Sequence, residues 1–462
     1  MHPRLVKDFL FPLHEWIRGR RTLRILADLC ETEAYTADRL HELQWKKLRR
    51  LLQHAFLHNV YYRELFKKYS IHPEDIRTPS DFARIPLLTK QIIRQQGESI
   101  VSQDPESQRS LIRRSTGGST GEPLVFFSTV RQQAAHNAAK FRGRSWWGIH
   151  LGDRELDMFG HGRTLAWKDR LLDVRDSLLN VRVVSAYDLS ERAMDATLDL
   201  LQQWRPHFLY VYPSAFYHFT LYLKDKNVDP HGFSPKIIFS SAETLYDTQR
   251  SLFQEYYGAR IANEYGAHDG GLIAFECPAG RLHITQEQVY VEVLPDGPDA
   301  NRGSLIITDL ENYGQPFIRY QIGDYGEMSR RECPCGRGLA VLEQLLGRST
   351  EMLRSANGTP VPGLLLTGTF REIEGVREFQ VVQEEMEAIH IRIVATGLFQ
   401  SESLKKVEAE LKRYVGERMK LTFELSNGLE RRESGKCSWF ISRIPSRSVE
   451  SKGTVLPNGP HQ

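Results

Sequence analysis

The pattern from which the fold can be predicted is clearest in KIIFSSAETLYDTQRSLFQEYYGARIANEYGAHDGG, residues 236–271. Two runs rich in β-branched and aromatic residues flank an amphipathic helical segment, and strand-like and helical runs alternate in the same way from about residue 180. Such alternation is typical of parallel βαβ units. Ligands in these sheets bind beyond the carboxyl ends of the strands, so SSAE at 240–243 and NEYGAHD at 263–269 are predicted to lie at a functional site.

The rest of the chain is predicted to form two parts around this unit. After about residue 280 the pattern becomes strand-rich, and past Arg348 a smaller unit of strands and one helix begins. The predicted fold class is therefore α/β. A large N-terminal domain over 1–347 has mixed and parallel sheets flanked by helices, and a small α+β C-terminal domain covers 348–445. The tail, 446–462, has little to bury and is predicted to be disordered.

The composition excludes several classes of protein. The chain has 462 residues, with 61 Lys and Arg against 58 Asp and Glu, and a net charge of +3 argues against a nucleic-acid partner. Charged residues and Pro12 interrupt the apolar N-terminus, so no signal peptide is predicted. No membrane span is predicted either, because no run of about 18 apolar residues occurs. Five cysteines, few and odd in number, favour a reducing compartment and hence a cytoplasmic protein.

A loop of hydroxyls and glycines is the first motif with chemical meaning. It consists of Ser115, Thr116, Gly117, Gly118, Ser119, Thr120 and Gly121. Unshielded backbone N–H groups and hydroxyls can together cradle a polyphosphate, although no Lys follows as in a Walker loop. The loop also contains G-x-S-x-G, which in serine hydrolases lies between a strand and a helix. Here strand-like residues lie on both sides, which predicts the tip of a β-hairpin; a Gly/Ser loop without function is the alternative.

Further segments follow this loop in the order found in one known family. SAET at 241–244, NEYGAHD at 263–269, PFIRYQIGD at 316–324 and SGK at 434–436 resemble motifs of the adenylate-forming superfamily, in particular its phenylacetate–CoA ligase and CapK-like branch. The likeness covers about residues 40–445. It implies an enzyme that uses ATP and Mg²⁺ to convert a carboxylic acid into its acyl adenylate, and then passes the acyl group to an acceptor such as coenzyme A.

The resemblance also implies roles for individual residues. The loop 115–121 would close over the β- and γ-phosphates. Other nucleotide contacts are implied at Ala242, Glu243, Glu264, Tyr265, Gly266, His268, Asp324 and Arg348. Tyr265 would stack on the adenine, Asp324 would accept hydrogen bonds from both ribose hydroxyls, and Asp269 and Arg319 would be catalytic. Asp269 would also bind Mg²⁺; the family usually has Glu there, but Asp is likewise a hard oxygen ligand.

Two segments resemble the parts of a mobile C-terminal lid. LGRSTE at 346–351 resembles the hinge, with Thr350 where Asp is usual. SGK carries Lys436, which by resemblance is catalytic and reaches the α-phosphate and the substrate carboxylate. A mobile cation suits a reaction that brings two anions together. The lid is then expected to rotate, withdraw Lys436 and open a channel for the thiol.

Four residues have the composition of a structural zinc site: Cys277, His283, Cys333 and Cys335. Three thiolates and one imidazole are a usual set for Zn²⁺ where disulfides do not persist. The neighbouring Gly and Pro residues suit a knuckle. Buried cysteines without a metal are the alternative on sequence alone.

The sequence leaves the acid and the acceptor open. Transfer to an amine, a sugar or a carrier protein in polysaccharide or secondary-metabolite biosynthesis is the alternative to coenzyme A. A non-catalytic nucleotide-binding relative is a third hypothesis, which the intact Lys436, Asp324 and Asp269 disfavour. A homodimer is left open. Some aromatic residues could line an acyl pocket, although their spacing is more typical of a core: Trp146, Trp147, Tyr212, Phe216 and Tyr217.

Overall fold

The computed structural model describes residues 1–115, 124–160, 167–295, 301–348, 351–358, 360–366, 370, 373, 375–400, 402–430 and 438–444. Its α-helices are α1 Pro3–Leu5, α2 Phe11–Ile17, α3 Thr22–Thr32, α4 Ala37–His58, α5 Val60–Lys68, α6 Pro79–Phe82, α7 Lys90–Gln96, α8 Pro105–Arg109, α9 Val130–Ser145, α10 Trp167–Leu178, α11 Glu191–Trp204, α12 Pro213–Asp225, α13 Asp247–Tyr257 and α14 Ser403–Val415. Its strands are β1 Leu111–Ser115, β2 Val125–Thr129, β3 Glu155–Met158, β4 Val181–Val184, β5 Phe208–Val211, β6 Ile237–Ser241, β7 Arg260–Ala267, β8 Gly271–Glu276, β9 Leu282–Ile284, β10 Val289–Pro295, β11 Arg302–Asp309, β12 Tyr320–Met328, β13 Val341–Arg348, β14 Met352–Arg354, β15 Pro360–Pro362, β16 Val376–Glu385, β17 Ala388–Ala395, β18 Lys420–Leu425 and β19 Phe440–Ser442.

One large mixed sheet contains most of the strands of the first 348 residues. Its order is β10-β11-β12-β13-β9-β8-β7-β6-β5-β3-β4. The strands β4, β3, β5, β6 and β7 are parallel, and helices α10, α11, α12 and α13 connect them. From β7 to β10 the neighbours are antiparallel. The predicted α/β class, with mixed and parallel strands flanked by helices, is confirmed.

The parallel strands are covered on both faces, which explains their continuous apolar runs. Every residue of β5 and β6 is buried. Because side chains alternate along a strand, Leu209 packs with Phe216 and Phe253 on one face, whereas Phe208 packs with Ala138 on the other. The parallel strands are therefore held by packed apolar side chains on both faces.

The hairpin predicted around the hydroxyl-glycine loop is confirmed by its two strands. β1 and β2 are antiparallel, and Ser115 lies opposite Val125. This geometry is not the strand-to-helix turn of a serine hydrolase. The loop itself lies outside the described residues, namely Thr116, Gly117, Gly118, Ser119, Thr120 and Gly121.

The C-terminal strands form a sheet of their own with order β18-β17-β16-β19. A separate apolar cluster contains Val381 of β16, Ile391 of β17, Leu411 of α14 and Phe440 of β19. The predicted strands and the predicted helix are present, whereas β19, parallel to β16, was not predicted. The boundary at residue 348 stays a prediction. Ser349, Thr350 and the tail lie outside the described residues.

Among the residues that the structure describes, no helix is both long enough and apolar enough to cross a bilayer.

Candidate active site

A cleft of about 340 Å³ lies at the carboxyl ends of β6 and β7, a volume typical of small-molecule sites. Residues of β12 and β13 form another wall, and Ser438 and Trp439 close it from the C-terminal side. The cleft brings together these predicted site residues: Ser115, Ala242, Glu243, Glu264, Tyr265, Gly266, His268, Asp269, Asp324 and Arg348. His268 and Ser115 are the exposed members of this set.

The turn after β6 has a strained backbone. Ala242 adopts φ +69°, a left-handed conformation that is uncommon for a residue with a Cβ. The next side chain fixes the turn, because Glu243 Oε2 accepts a 3.0 Å hydrogen bond from the backbone N–H of Ser214 in the first turn of α12. Strain of this kind is concentrated at functional sites. The turn therefore presents a defined backbone surface to the cleft.

Asp324 is a buried carboxylate at the centre of the cleft wall. The Tyr265 hydroxyl donates a 2.7 Å hydrogen bond to its Oδ2, and Arg348 Nε lies 3.7 Å from its Oδ1. The antiparallel register of β12 and β13 places Asp324 directly opposite Arg348. Burial raises the pKa of Asp324, while Arg348 and the Tyr265 hydrogen bond partly oppose that rise. A carboxylate has about four acceptor sites, so Asp324 can accept further hydrogen bonds from a ligand.

Two further buried carboxylates in the cleft are also held by tyrosine hydroxyls. Tyr320 donates a 2.6 Å hydrogen bond to Asp269 Oδ2. Tyr210 donates a 2.6 Å hydrogen bond to Glu264 Oε1, and Ser241 donates to the same oxygen at 3.3 Å. Hard oxygen ligands of this kind fit Mg²⁺.

Arg319 was predicted to be catalytic, but the structure places it away from the cleft. Its φ of +51° turns the side chain into the protein, where Nε lies 3.1 Å from both carboxylate oxygens of Glu292. The guanidinium also donates to the carbonyls of Ala83 and Ile85. Only 3% of Arg319 is exposed, and it is not among the residues that line the cleft, so its catalytic role stays a prediction.

Lys90 lines the cleft and was not predicted as a site residue. The Leu88 N–H donates to the Arg319 carbonyl at 3.0 Å, and the Gln321 N–H donates to the Leu88 carbonyl at 2.9 Å. Thr89 then caps α7, whose first residue is Lys90. These hydrogen bonds attach the segment 88–90 to β12, and the Lys90 side chain of this segment lies at the cleft. The sequence shows the cap at Thr89, but nothing in it shows which way the following side chain points.

The end of β13 has a conformation that requires glycine. Gly347 adopts φ +95°, and a Cβ there would lie 2.8 Å from Glu351 Oε2. That oxygen accepts hydrogen bonds from the Arg348 N–H at 3.3 Å and the Thr244 hydroxyl at 3.4 Å. The Ser438 hydroxyl donates to the other oxygen, Oε1, at 3.2 Å. Glu351 therefore links the turn after β6, the end of β13 and the C-terminal segment.

The C-terminal part packs directly on helices of the large sheet. Trp439 stacks on Tyr246 with ring centroids 4.4 Å apart and planes within 8° of parallel. His218 Nε2 of α12 lies 2.8 Å from Glu378 Oε1 of β16. Lys436 lies outside the described residues, but Ser438, two positions later, lines the cleft.

The aromatic residues considered for an acyl pocket divide between the cleft and the core. Tyr212 lines the cleft next to Tyr187. Phe216 is fully buried in the core cluster above β5, as its spacing indicated.

The four predicted zinc ligands meet at one point. The ligand atoms of Cys277, His283, Cys333 and Cys335 all lie within 4.8 Å of one another. His283 Nδ1 lies 3.1 Å from the Leu339 carbonyl, an arrangement that leaves Nε2 available as a ligand. Burial lowers the pKa of His283 to about 4, so the imidazole is neutral, as a metal ligand must be.

This cluster lies away from the cleft. β8 runs antiparallel to β7 from Gly271, opposite Ala267, to Glu276, which is followed by Cys277. Cys277 therefore lies toward the amino end of β7, whereas the cleft is at the carboxyl end. A metal held there would act on stability rather than on the reaction.

Comparison with known proteins agrees with the motif analysis. Residues 353–443 match the family described as CapK C-terminal domain. Protein CapK of Staphylococcus aureus is 25% identical over 88% of this chain and 90% of its own length, and a phenylacetate–coenzyme A ligase of Pseudomonas putida is 22% identical over 92% and 98%. A 2-hydroxyisobutyryl-CoA ligase, solved in its postadenylation state, superposes with a TM-score of 0.71 at 20% identity over 90% of this chain and 92% of that one. The chain is thus a homologue of CapK and of the phenylacetate–coenzyme A ligases, and it has the fold of the adenylate-forming ligases.

Proposed function

We propose that the chain is an ATP-dependent, AMP-forming ligase that activates a carboxylic acid as its acyl adenylate and joins it to the thiol of coenzyme A. One observation carries the proposal: a single cleft collects Tyr265 and Asp269 from one motif, Asp324 from a second and Arg348 from a third, with Ser438 of the C-terminal part at its edge. The homology of the chain with phenylacetate–coenzyme A ligases supports the same reaction.

In the first half-reaction the acid's carboxylate oxygen attacks the α-phosphorus of ATP, and the bond to pyrophosphate breaks. Asp324 would hold the ribose, with its carboxylate oriented by Tyr265. Both reactants are anions, so cations at the cleft lower the barrier. We assign this role to Lys90, to Arg348 and to Lys436 of the lid.

Asp269 is the proposed ligand of Mg²⁺. Its carboxylate is buried in the cleft, and Tyr320 holds one oxygen at 2.6 Å. When bound, Mg²⁺ neutralises charge on the phosphates. Tyr320 restricts the Asp269 carboxylate to one orientation before ATP arrives.

In the second half-reaction the thiol attacks the acyl carbonyl carbon, and AMP leaves. We propose that residues 348–445 form a lid that rotates between the two steps at 348–351, as segments that absorb backbone rotation do. The contact of Glu351 with Thr244 supports this, because Thr244 belongs to the large domain and rotation would break the contact while leaving each sheet intact. The withdrawal of Lys436 would then open the thiol channel.

Exchange of radiolabelled pyrophosphate into ATP tests the activity. A panel of carboxylic acids is screened, with omission of the acid as the control, and thioester formation is measured with and without coenzyme A. We expect exchange with at least one acid and thioester only when coenzyme A is present. Exchange without any thioester would favour transfer to an amine, a sugar or a carrier protein, and no exchange with any acid would contradict the proposed enzyme.

We also propose a structural Zn²⁺ held by Cys277, His283, Cys333 and Cys335. The neutral imidazole and the close approach of the four ligand atoms support it. Thiols that stay reduced to bind a metal fit a cytoplasmic location. A homodimer stays a prediction.

A further inference from the structure

The N-terminal helical segment turns an apolar stripe toward the outside. Over residues 3–17, large apolar side chains recur every three or four positions and are exposed: Leu5, Phe9, Leu13, Trp16 and Ile17. The exposed fraction reaches 68% for Phe9 and 77% for Trp16. The other side is anchored, because Val6 is buried and Phe11 packs edge-on against Phe141 at 5.3 Å. A helix normally turns its apolar stripe inward, so an outward stripe on an anchored helix indicates an external partner.

A second exposed apolar stripe lies on α10, the helix against which Met1 is placed. Helix α10 exposes side chains at helical spacing, namely Trp167, Leu171, Val174 and Leu178. The amino group of Met1 donates a 2.9 Å hydrogen bond to Asn180 Oδ1, and Asn180 Nδ2 donates to the Met1 carbonyl at 3.0 Å. Met1, Val174 and Leu178 line one surface depression. The start of the N-terminal segment is therefore fixed against the end of α10, next to two residues of the α10 stripe.

Exposed basic residues lie within and directly after the N-terminal stripe in the sequence. Residues 1–24 contain Arg4, Lys7, Arg18, Arg20, Arg21 and Arg24 but only two acids, Asp8 and Glu15. Glu15 is buried and pairs with Arg20. Five exposed cations against the exposed Asp8 leave a local charge of +4, larger than the +3 of the whole chain. Charge is thus concentrated where apolar surface is exposed.

We propose that this docking face, the apolar stripes of residues 1–17 and of α10 with the exposed basic residues of 1–24, binds the surface of an anionic lipid bilayer. An amphipathic helix with Trp, Phe and Leu on one side and Lys and Arg around it lies in the plane of the membrane interface. Trp side chains prefer that depth, and each Lys or Arg near an anionic leaflet is attracted to it. A second copy of the chain fits less well, since a two-fold contact would bring two surfaces of charge +4 together.

Cosedimentation of the full-length chain with vesicles tests the proposal. We expect binding to phosphatidylcholine vesicles that contain phosphatidylglycerol, little binding to phosphatidylcholine alone, and release by added salt. Phe9→Glu and Trp16→Glu should each weaken binding about tenfold or more, because a large apolar side chain leaves the interface. Lys7→Glu should weaken it about fivefold or more. The matched controls Leu57→Glu and Leu425→Glu alter residues of similar exposure elsewhere and should bind as the wild type does.

Melting temperature and acid-dependent pyrophosphate release, measured on every variant, separate loss of docking from loss of folding. If the apolar variants fail to fold, Lys7→Glu and the salt dependence still decide the question. The proposal is overturned if the wild type stays in the supernatant with anionic vesicles, or if Phe9→Glu, Trp16→Glu and Lys7→Glu all bind normally. It is equally overturned if light scattering shows a dimer that Trp16→Glu dissociates while no vesicle binding is seen.

Discussion

The Tyr265 hydroxyl donates a 2.7 Å hydrogen bond to Asp324 Oδ2, and so joins two motifs 59 residues apart in the chain. Their strands, β7 and β12, are separated in the large sheet by β8, β9 and β13. Neighbouring strands lie about 4.8 Å apart, so four steps across a flat sheet would put β7 and β12 about 19 Å apart. A direct hydrogen bond therefore requires the sheet to curl strongly, and the cleft lies in that curl.

Lys436→Ala should reduce acyl-adenylate formation by about a hundredfold or more, since a cation that meets developing negative charge is removed. Thiolysis of supplied acyl adenylate should stay near the wild-type rate, because the lid has then withdrawn this residue. Pyrophosphate exchange and thioester formation measure the two steps separately. Lys405→Ala, on the exposed side of α14, is the matched control and should change neither. Equal losses in both steps would rule out the assigned role.

His218→Ala should slow adenylation by about two- to fivefold and leave thiolysis unchanged. The 2.8 Å contact of His218 Nε2 with Glu378 Oε1 joins α12 to β16, and a hydrogen bond of this kind contributes about 0.5–1 kcal/mol. Rates of the two half-reactions are the measurement. The control His231→Ala removes an exposed contact with Asp229. Both residues belong to the connection between α12 and β6, so this contact does not involve the lid. If the two variants behave alike, His218 has no special part in holding the lid.

Cys335→Ser should lower both the zinc content and the melting temperature. Structural zinc contributes folding free energy directly, and Cys335 Sγ lies 3.2 Å from His283 Nε2. Metal analysis of protein purified without added metal should find one zinc per chain in the wild type. Cys30→Ser, an exposed cysteine on α3, is the control and should keep the metal. A metal-free wild type of full stability would refute the site.

The parts of the fold that the sequence predicts are those with local causes. The βαβ series follows from apolar runs and helical spacing, and the strands on both sides of the hydroxyl-glycine loop follow from residues next to it. The short strand β19 has no such signal, since Phe440–Ser442 becomes a strand only by pairing with β16.

The same distinction separates the site residues that were predicted from those that were not. The order of the motifs along the chain predicted that Tyr265 and Asp324 belong to one site, and both line the cleft. Arg319 has a backbone φ of +51°, and this conformation affects the direction of its side chain. The residue types at positions 319 and 320 alone do not indicate such a conformation. Lys90 and Glu351 reach the cleft through contacts with distant segments, so no local pattern identifies them.

Asp157→Asn should stabilise the protein more at pH 8 than at pH 5. Burial and the neighbouring Glu155 raise the pKa of Asp157 to about 7. The unfolded chain releases this proton near pH 4, whereas the folded chain keeps it until about pH 7, so folding stability falls as pH rises through that window. Asparagine has no ionisable proton in this range, so the substitution removes this contribution to the pH dependence of stability. Thermal melts across the window measure the effect, and the exposed Asp225→Asn should show a flat difference from wild type.

Asp324→Ala tests the nucleotide pose as a whole. If Asp324 accepts hydrogen bonds from both ribose hydroxyls, its loss should weaken ATP binding by about 2 kcal/mol, as expected for charge-assisted hydrogen bonds. For the wild type, 2′-deoxy-ATP should bind more weakly than ATP by much of that amount, because one hydroxyl is missing. In Asp324→Ala the deoxy penalty should nearly vanish, since that hydroxyl has already lost its partner. Tyr265→Phe is the matched control: it removes the hydroxyl that orients the carboxylate, keeps the aromatic ring, and should preserve most of the deoxy penalty. Binding titrations of both nucleotides to the three proteins complete the cycle. A deoxy penalty of the same size in wild type and Asp324→Ala would mean that Asp324 does not contact the ribose, and the pose drawn from the family would have to be abandoned.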